Sequence, residues 1–365
     1  MKVAILTQPL HHNYGGLLQA FAMQKALIKI GEHPVTLDVQ YKRSALLEFR
    51  WLLSKAVKKY IFRQNIGRVL PVPQSEILLA QKETNKFIDK NINLGGRLNG
   101  AKELGSLDLT SYKAVLVGSD QVWRASYSPN IESYFLDFVH DEDIIKMSYA
   151  ASFGIATLEE YTEENISNCK RLLKEFDFVS VRENDAVTLC KNKFDVEAQH
   201  VLDPTMLLSP QDYLNVFVAD KPQRKIATYV LDESDRAINS IRFFEKAAGL
   251  TSEPVGRPVE GVYPSVESWL KGLYEASFII TDSFHGVVFS IIFNKQFVCL
   301  GNRQRGMSRF YSLLDMFDLS ERLIMSEDEL TEDLISNVID FETVNEKLIE
   351  LRNMSYEYLN SALCE

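Results

Sequence analysis

Apolar positions along this chain fall into two alternating patterns. Short, nearly unbroken apolar runs, as in KVAILTQ at 2–8, PVTLDV at 34–39 and AVLVG at 114–118, are separated by longer stretches in which apolar residues recur at helical spacing. Unbroken runs suit strands buried on both faces, and strands alternating with helices imply a parallel sheet with crossover helices. The class is α/β. Further strands are expected at IKMSYAASF (145–153), FDFVSVR (176–182) and VEAQHVL (196–202), and Leu17 to Ile30 reads as a helix stopped by Gly31. A second series opens at KIATYVL (225–231) and runs through a helix from about Ser240 to Gly249 and a short strand near Glu253–Val255. It ends with SFIITD (277–282), a helix from His285 and QFVCLG (296–301). The expected organisation is an N-terminal α/β domain over 1–205, a linker over 206–224 containing Pro210 and Pro222, and a smaller C-terminal α/β domain over 225–341. A last helical stretch over 342–365 is expected to pack back on the N-terminal domain.

Composition narrows the partners. Of 365 residues, 46% are hydrophobic and 25% charged, which excludes a disordered chain. The most apolar stretch, Phe278 to Leu300, is broken by Asp282, His285, Asn294 and Lys295 and falls short of a bilayer span. MKVAILTQPL reads as a buried opening strand rather than a secretion signal, and four widely spaced cysteines fit a reducing compartment, so a cytoplasmic location is expected. With 40 basic and 50 acidic residues the net charge is −10, which offers nucleic acid no general electrostatic footprint. Residues 41–70 invert this balance, with eight basic residues and one acid. There Leu46, Phe49, Leu53, Val57 and Tyr60 recur at helical spacing, and the basic residues fall largely off that stripe. The segment reads either as an amphipathic helix on an anionic membrane surface or as a helix packed on the domain with a solvated basic face.

Candidate chemistry sits where strands end, because ligands of parallel sheets bind beyond the carboxyl ends of the strands. In TDSFHG (281–286) an apolar strand turns into an apolar helix, placing Ser283, Phe284, His285 and Gly286 at a helix N-terminus. Such a terminus attracts anions, and the imidazole there serves as a proton donor or acceptor; alternatively Ser283 and His285 only cap the helix. VGSDQVW (117–123) ends a strand with Ser119, Asp120 and Gln121 and adds Trp123, which reads as a sugar platform or as core. Arg182 closes VSVR as either an anion fork or an ion-pair anchor. Arg303, Arg305 and Arg309 form a basic loop, and Asn13, Tyr14, Gly15 and Gly16 mark a junction where backbone can approach a ligand closely or simply turn. Dinucleotide, P-loop and nucleophile-elbow motifs are absent, and no metal-ligand spacing occurs.

NYGGLLQAFAMQKAL, VGSDQVW, SYAASFG, VSVRE, VLDPT and TDSFHGVVFSIIFNKQFV, in that order, closely resemble the polysaccharide pyruvyl transferase family over about residues 2–310. The resemblance implies two Rossmann-like domains facing a cleft, in a GT-B-like architecture. It also implies transfer of pyruvate from phosphoenolpyruvate to a sugar of a cell-surface polysaccharide or its lipid-linked precursor, often as a cyclic ketal, with no further cofactor. On that basis His285 is the expected general acid/base; from its loop position alone, Asp120 is expected to join it in catalysis and acceptor binding. The donor would meet Arg182, Ser283, Phe284, Gly286 and an arginine of 303–309. The acceptor would meet Asn13 to Gly16, Ser119, Gln121, Trp123 and Ser152, the last in SYAASFG. Several members carry Arg-x-His where this chain has Ser283 before Phe284 and His285, so either an arginine of 303–309 supplies the missing donor contact or the donor or reaction differs from the family's best-known one. A glycosyltransferase using a nucleotide-sugar donor and a non-catalytic carbohydrate-binding subunit are the competing readings.

Overall fold

The computed structural model describes residues 1–41, 74–258, 261–303 and 306–364, with side chains from residue 78 onward in the helix that opens the second stretch. The basic segment at 41–70 therefore lies, Tyr41 apart, outside the described residues, as does Arg305.

Two parallel sheets organise the chain. The first contains β1 (Lys2–Leu6), β2 (His33–Val39), β3 (Leu94–Leu98), β4 (Tyr112–Gly118) and β5 (Ile145–Tyr149) in the order β3-β2-β1-β4-β5. Two bridges, Met147 to Phe178 and Ala151 to Val181, extend it to β6 (Ser180–Val181), which pairs with β7 (Gln199–His200). The second sheet contains β8 (Ile226–Tyr229), β9 (Ser252–Pro254), β10 (Phe278–Thr281), β11 (Gln296–Leu300) and β12 (Leu323–Ile324) in the order β12-β11-β10-β8-β9. Central strands such as β4 and β10 are buried almost throughout, which is why they read as apolar runs. The two strands with no counterpart in the apolar pattern are β3, whose LGGRL sequence is mostly exposed, and the two-residue β12. Both sheets are Rossmann-like. Chain order reverses between β1 and β4 in the first and between β8 and β10 in the second, and at such a switch point the flanking loops part to leave a crevice. The two crevices face each other.

The stretch 206–224 is not a bare connector. It carries the helix Pro210–Leu214, started by a capping box between Ser209 and Asp212, and it buries Tyr213 completely. The Tyr213 ring stands edge-on to Phe289 of the C-terminal domain at 4.9 Å and near Phe21 of the N-terminal domain at 6.3 Å, while its hydroxyl donates to the Thr205 carbonyl at 2.7 Å. A second bridge comes from Tyr14, which stacks on Trp269 at 5.7 Å and donates to the Pro264 carbonyl. The helix Phe341–Leu363 then crosses both lobes. Val344 and Leu348 join the core shared with the C-terminal domain, and Leu359, Ala362 and Leu363 pack beside Val3, Ile5 and Ala114. Along the way Arg352 donates to the carbonyls of Met206 and Leu208, and the Tyr358 hydroxyl to that of Ser148. One apolar core thus runs from the helix Tyr14–Lys29 into the C-terminal domain.

Replacing Tyr213 tests this junction. Tyr213→Ala removes an aromatic wedge shared by the two domains and should cost about 3–5 kcal/mol in urea unfolding, whereas Tyr213→Phe loses one buried hydrogen bond and should cost about 1–2 kcal/mol. Equal, small losses for both would place the ring outside the load path between the domains.

Candidate active site

The facing switch points enclose a cleft of about 320 Å³. His12, Asn13, Asp120, Gln121 and Tyr127 line it from the N-terminal domain, and Tyr229, Leu231, Asp282, Ser283, Phe284, His285, Arg309 and Phe310 from the C-terminal domain.

Two helices begin at this cleft, Tyr14–Lys29 and Phe284–Ile292. Neither has an acidic residue in its first turn, and neither Asn13 nor Ser283, at the two N-cap positions, makes a side-chain capping bond. Each N-terminus carries the equivalent of roughly half a positive charge together with N–H groups that the helix itself does not use. Local packing fixes both. Every residue of the helix Phe284–Ile292 is buried, which explains its continuous apolar sequence. Its approach to β10 depends on Gly286, where a Cβ would stand 2.1 Å from Thr281 Oγ1. That hydroxyl donates to the Tyr229 carbonyl and accepts from the Ser283 N–H, setting the strand-to-helix turn. On the other side, a Cβ at Gly15 would stand 2.0 Å from His285 Nδ1, so the glycine is what allows the imidazole to lie against the first helix.

Beneath the cleft lies Asp203, from the VLDPT motif. Its Oδ1 accepts from the Thr205 amide and hydroxyl, and its Oδ2 accepts from Gln19 Nε2 at 2.6 Å and Arg182 Nη1 at 2.9 Å. His285 Nε2 stands 3.9 Å from the same oxygen and has no hydrogen-bond partner. Burial pushes the Asp203 carboxyl up, but the neighbouring imidazole, the Arg182 guanidinium and the Thr205 hydroxyl overcome it, and the group lies below the usual carboxylate range. Burial, assisted by the cations Arg182 and Arg309, lowers the His285 imidazole to about 4 against the pull of Asp203 and Asp120. The ring is therefore neutral near pH 7. Arg309, also lowered by burial but only to about 10, keeps its charge. The Phe284 ring carries both guanidinium groups, Arg182 at 4.7 Å and Arg309 at 5.6 Å.

The residues expected from the sequence divide into three groups. Asn13, Asp120, Gln121, Ser283, Phe284, His285 and Arg309 line the cleft. Asp120 does so from strained backbone, at φ 70° after Ser119 at φ 23°, a conformation that side-chain-bearing residues hold only when their surroundings enforce it. A second group supports the wall. Arg182 is buried and reaches the site through Asp203 and Phe284 rather than lining the cleft. Ser119 is buried and accepts from Gln19, Tyr14 bridges the domains, Gly286 packs on Thr281, and Gly15 and Gly16 give room to His285 and Asp120. The remainder stands apart. Trp123 is fully buried, stacked on Phe135 at 5.1 Å with its N–H on the Tyr134 carbonyl, so it is core and offers no face to a sugar. Ser152 is also fully buried, donating to Glu183, and Arg303 is exposed and does not line the cleft. Among the described arginines of 303–309, Arg309 is the one at the cleft, beside the turn where the family's additional arginine would stand. Sequence reasoning passed over Asp203, Gln19 and Tyr127. The first could have been found as the one acid of a strand-end motif already carrying the resemblance.

A model of the polysaccharide pyruvyl transferase family matches residues 13–304, most of the chain. The chain belongs to that family. It is accordingly a transferase, and the match spans both facing domains and every residue of the cleft except His12, Arg309 and Phe310. No curated protein matches it in sequence. Solved structures of similar overall course include an S. aureus MnaA co-structure with UDP, at 12% identity and TM-score 0.48, covering 100% of this chain and 98% of the other. A UDP-GlcNAc 2-epimerase from Neisseria meningitidis bound to UDP-GlcNAc aligns at 13% identity and TM-score 0.46 over 99% and 97% of the two chains. An alpha-glucosyltransferase in complex with UDP aligns at 9% and 0.45 over 99% and 95%. At such identities none of them speaks to the chemistry of this family member. No helix among the described residues is long and apolar enough to cross a membrane, and no group of three or more potential metal ligands occurs among them.

The buried imidazole makes stability depend on pH. Above its unfolded value of 6.5 the ring is neutral in both states, and the full stability is present. As pH falls from 6.5 toward 4, the unfolded chain gains a proton that the folded chain refuses, so stability drops by up to about 3 kcal/mol. Urea unfolding between pH 7 and 4 should show this loss in the wild type and a shallower one in His285→Gln. Parallel curves for the two proteins would mean that the imidazole titrates freely in the fold.

Proposed function

We propose that this transferase moves the pyruvyl group of phosphoenolpyruvate to two hydroxyls of a sugar in a cell-surface polysaccharide or its lipid-linked precursor, leaving a cyclic ketal. The observation that carries the reading is the convergence of two helix N-termini without side-chain caps and the Arg309 guanidinium on one cleft that His285, neutral near pH 7, also lines. Phosphoenolpyruvate brings a phosphate and a carboxylate, which these donors suit. Its negative charge also supplies what the imidazole lacks. Beside a bound anion the charged ring is favoured, so His285 takes up a proton as the donor enters.

The chemistry then follows from the groups at hand. The His285 imidazolium gives its proton to the methylene carbon C3, which leaves C2 electrophilic. An acceptor hydroxyl adds to C2 and yields its proton to Asp120, whose carboxylate faces the same space. The C2–O bond to phosphate breaks, the second hydroxyl closes the ketal, and its proton leaves with the phosphate. The proton held by Asp120 returns to His285, so one hydroxyl proton ends on C3 and the other on phosphate. Asp203, itself held by Arg182, stands behind the imidazole and offsets its positive charge once it is protonated.

Incubation with phosphoenolpyruvate and a panel of aryl and lipid-linked glycosides should release phosphate and add one pyruvyl mass to an acceptor. His285→Ala should slow this by about a hundredfold or more with folding intact. Gly15→Ala, which retains the imidazole but displaces it, should lose on the order of a hundredfold as well. Full activity in both would remove His285 from the reaction.

An acceptor carried on a lipid is met at a membrane surface, and the net positive segment 41–70 is the proposed contact. Vesicle co-sedimentation should rise with anionic lipid and fall with added salt; binding indifferent to lipid charge would contradict it.

A further inference from the structure

The cleft does not end at the reacting groups. On the N-terminal side it continues into a second compartment of about 600 Å³, and His12, Asn13, Asp120, Gln121 and Tyr127 are walls of both. The donor and one sugar ring meet in the first. The second needs an occupant of its own, and its walls describe one. Among the described residues it is lined by amide, imidazole and hydroxyl groups, including Gln8, His11 and Ser126, by the Asp120 carboxylate and two prolines, and by no lysine or arginine. Among the described residues a phosphate or pyrophosphate finds no lysine or arginine there. A hydrocarbon tail would leave those polar groups without partners. A neutral, polyhydroxylated ring satisfies them.

Tyr127 gives the compartment an aromatic face. Its side chain is 49% exposed although it borders both spaces. Beneath it the Arg124 guanidinium lies 4.4 Å from the ring centre, and that guanidinium is itself fixed: Nε and Nη2 donate to Glu160, and Nη1 donates to Gln121 Oε1 at 2.9 Å. The ring therefore rests on a held cation and presents a flat surface beside the cleft. The C–H bonds on one face of a pyranose are weakly positive and suit the negative face of such a ring. Trp123, four residues earlier, has the same chemistry but is enclosed in the core.

We propose that this compartment is a subsite for the sugar adjoining the one that reacts, with Tyr127 as its stacking platform, so that the acceptor is an oligosaccharide of at least two residues. The proposal rests on the pyruvyl-transfer reading only for the statement that a sugar reacts next door.

The test uses saturation-transfer NMR and calorimetric titration of the full chain with four probes, the p-nitrophenyl glycosides of lactose, cellobiose, maltose and chitobiose, each beside its monosaccharide counterpart. At least one disaccharide should bind about tenfold tighter than its monosaccharide, with saturation on both rings. Tyr127→Ala should abolish that advantage, and Tyr127→Phe should retain it. Melting curves of the variants control for folding. No preference for any disaccharide, or a preference that survives Tyr127→Ala, overturns the proposal. Phosphoenolpyruvate titrated into the wild type separates the two ideas. Disaccharide preference without donor binding leaves the subsite standing and contradicts pyruvyl transfer, and donor binding without disaccharide preference does the reverse.

Discussion

Everything at the cleft depends on where Asp203 keeps its charge. Two helices bring their positive ends to one space, two guanidinium groups share the ring of Phe284, and one fully buried carboxylate stands behind them, bonded to Arg182, Gln19 and Thr205. The arrangement is stable without a charged histidine, since Arg182 already answers the carboxylate. Burial above all, with the neighbouring guanidinium groups, keeps the imidazole neutral despite an acid 3.9 Å away. An incoming anion changes the balance in favour of the imidazolium. In the proposed reaction, donor binding and loading of the acid thus become one event, and the free enzyme at neutral pH holds little of the protonated form.

The fold serves this balance by removing freedom. A helix crossing from the C-terminal core to the N-terminal sheet, a buried tyrosine between the domains and the Tyr14–Trp269 stack hold the two crevices face to face. The consequence is visible at Gly15, where one methyl group would occupy the place of the imidazole. Registration of the domains to that tolerance is what lets a residue of one domain and a backbone of the other form a single site.

Much of this was legible in the chain. Parallel strands buried on both faces leave unbroken apolar runs, so both sheets and the motif turns at their ends could be placed, and with them His285, Asp120 and Asn13. The exceptions share a physical cause. In LGGRL the glycines and exposure of β3 erase the apolar signal, and Asp203 looks like an ordinary helix-starting acid until Arg182 and Gln19 reach it from distant parts of the sequence. Aromatic residues in loops carry no mark of their exposure. Trp123 and Tyr127 share one loop, yet the first is closed off by Phe135 and Phe153 and the second stands open on Arg124. Burial is a property of the finished packing, and neighbours in sequence need not share it.

The most direct test of the coupling is calorimetric titration of phosphoenolpyruvate at pH 7 in buffers of differing ionisation enthalpy, on the wild type and on His285→Gln. If the donor charges the imidazole, the wild type takes up about one proton more than the variant on binding. Equal proton uptake by the two proteins, or no binding by either, would contradict it.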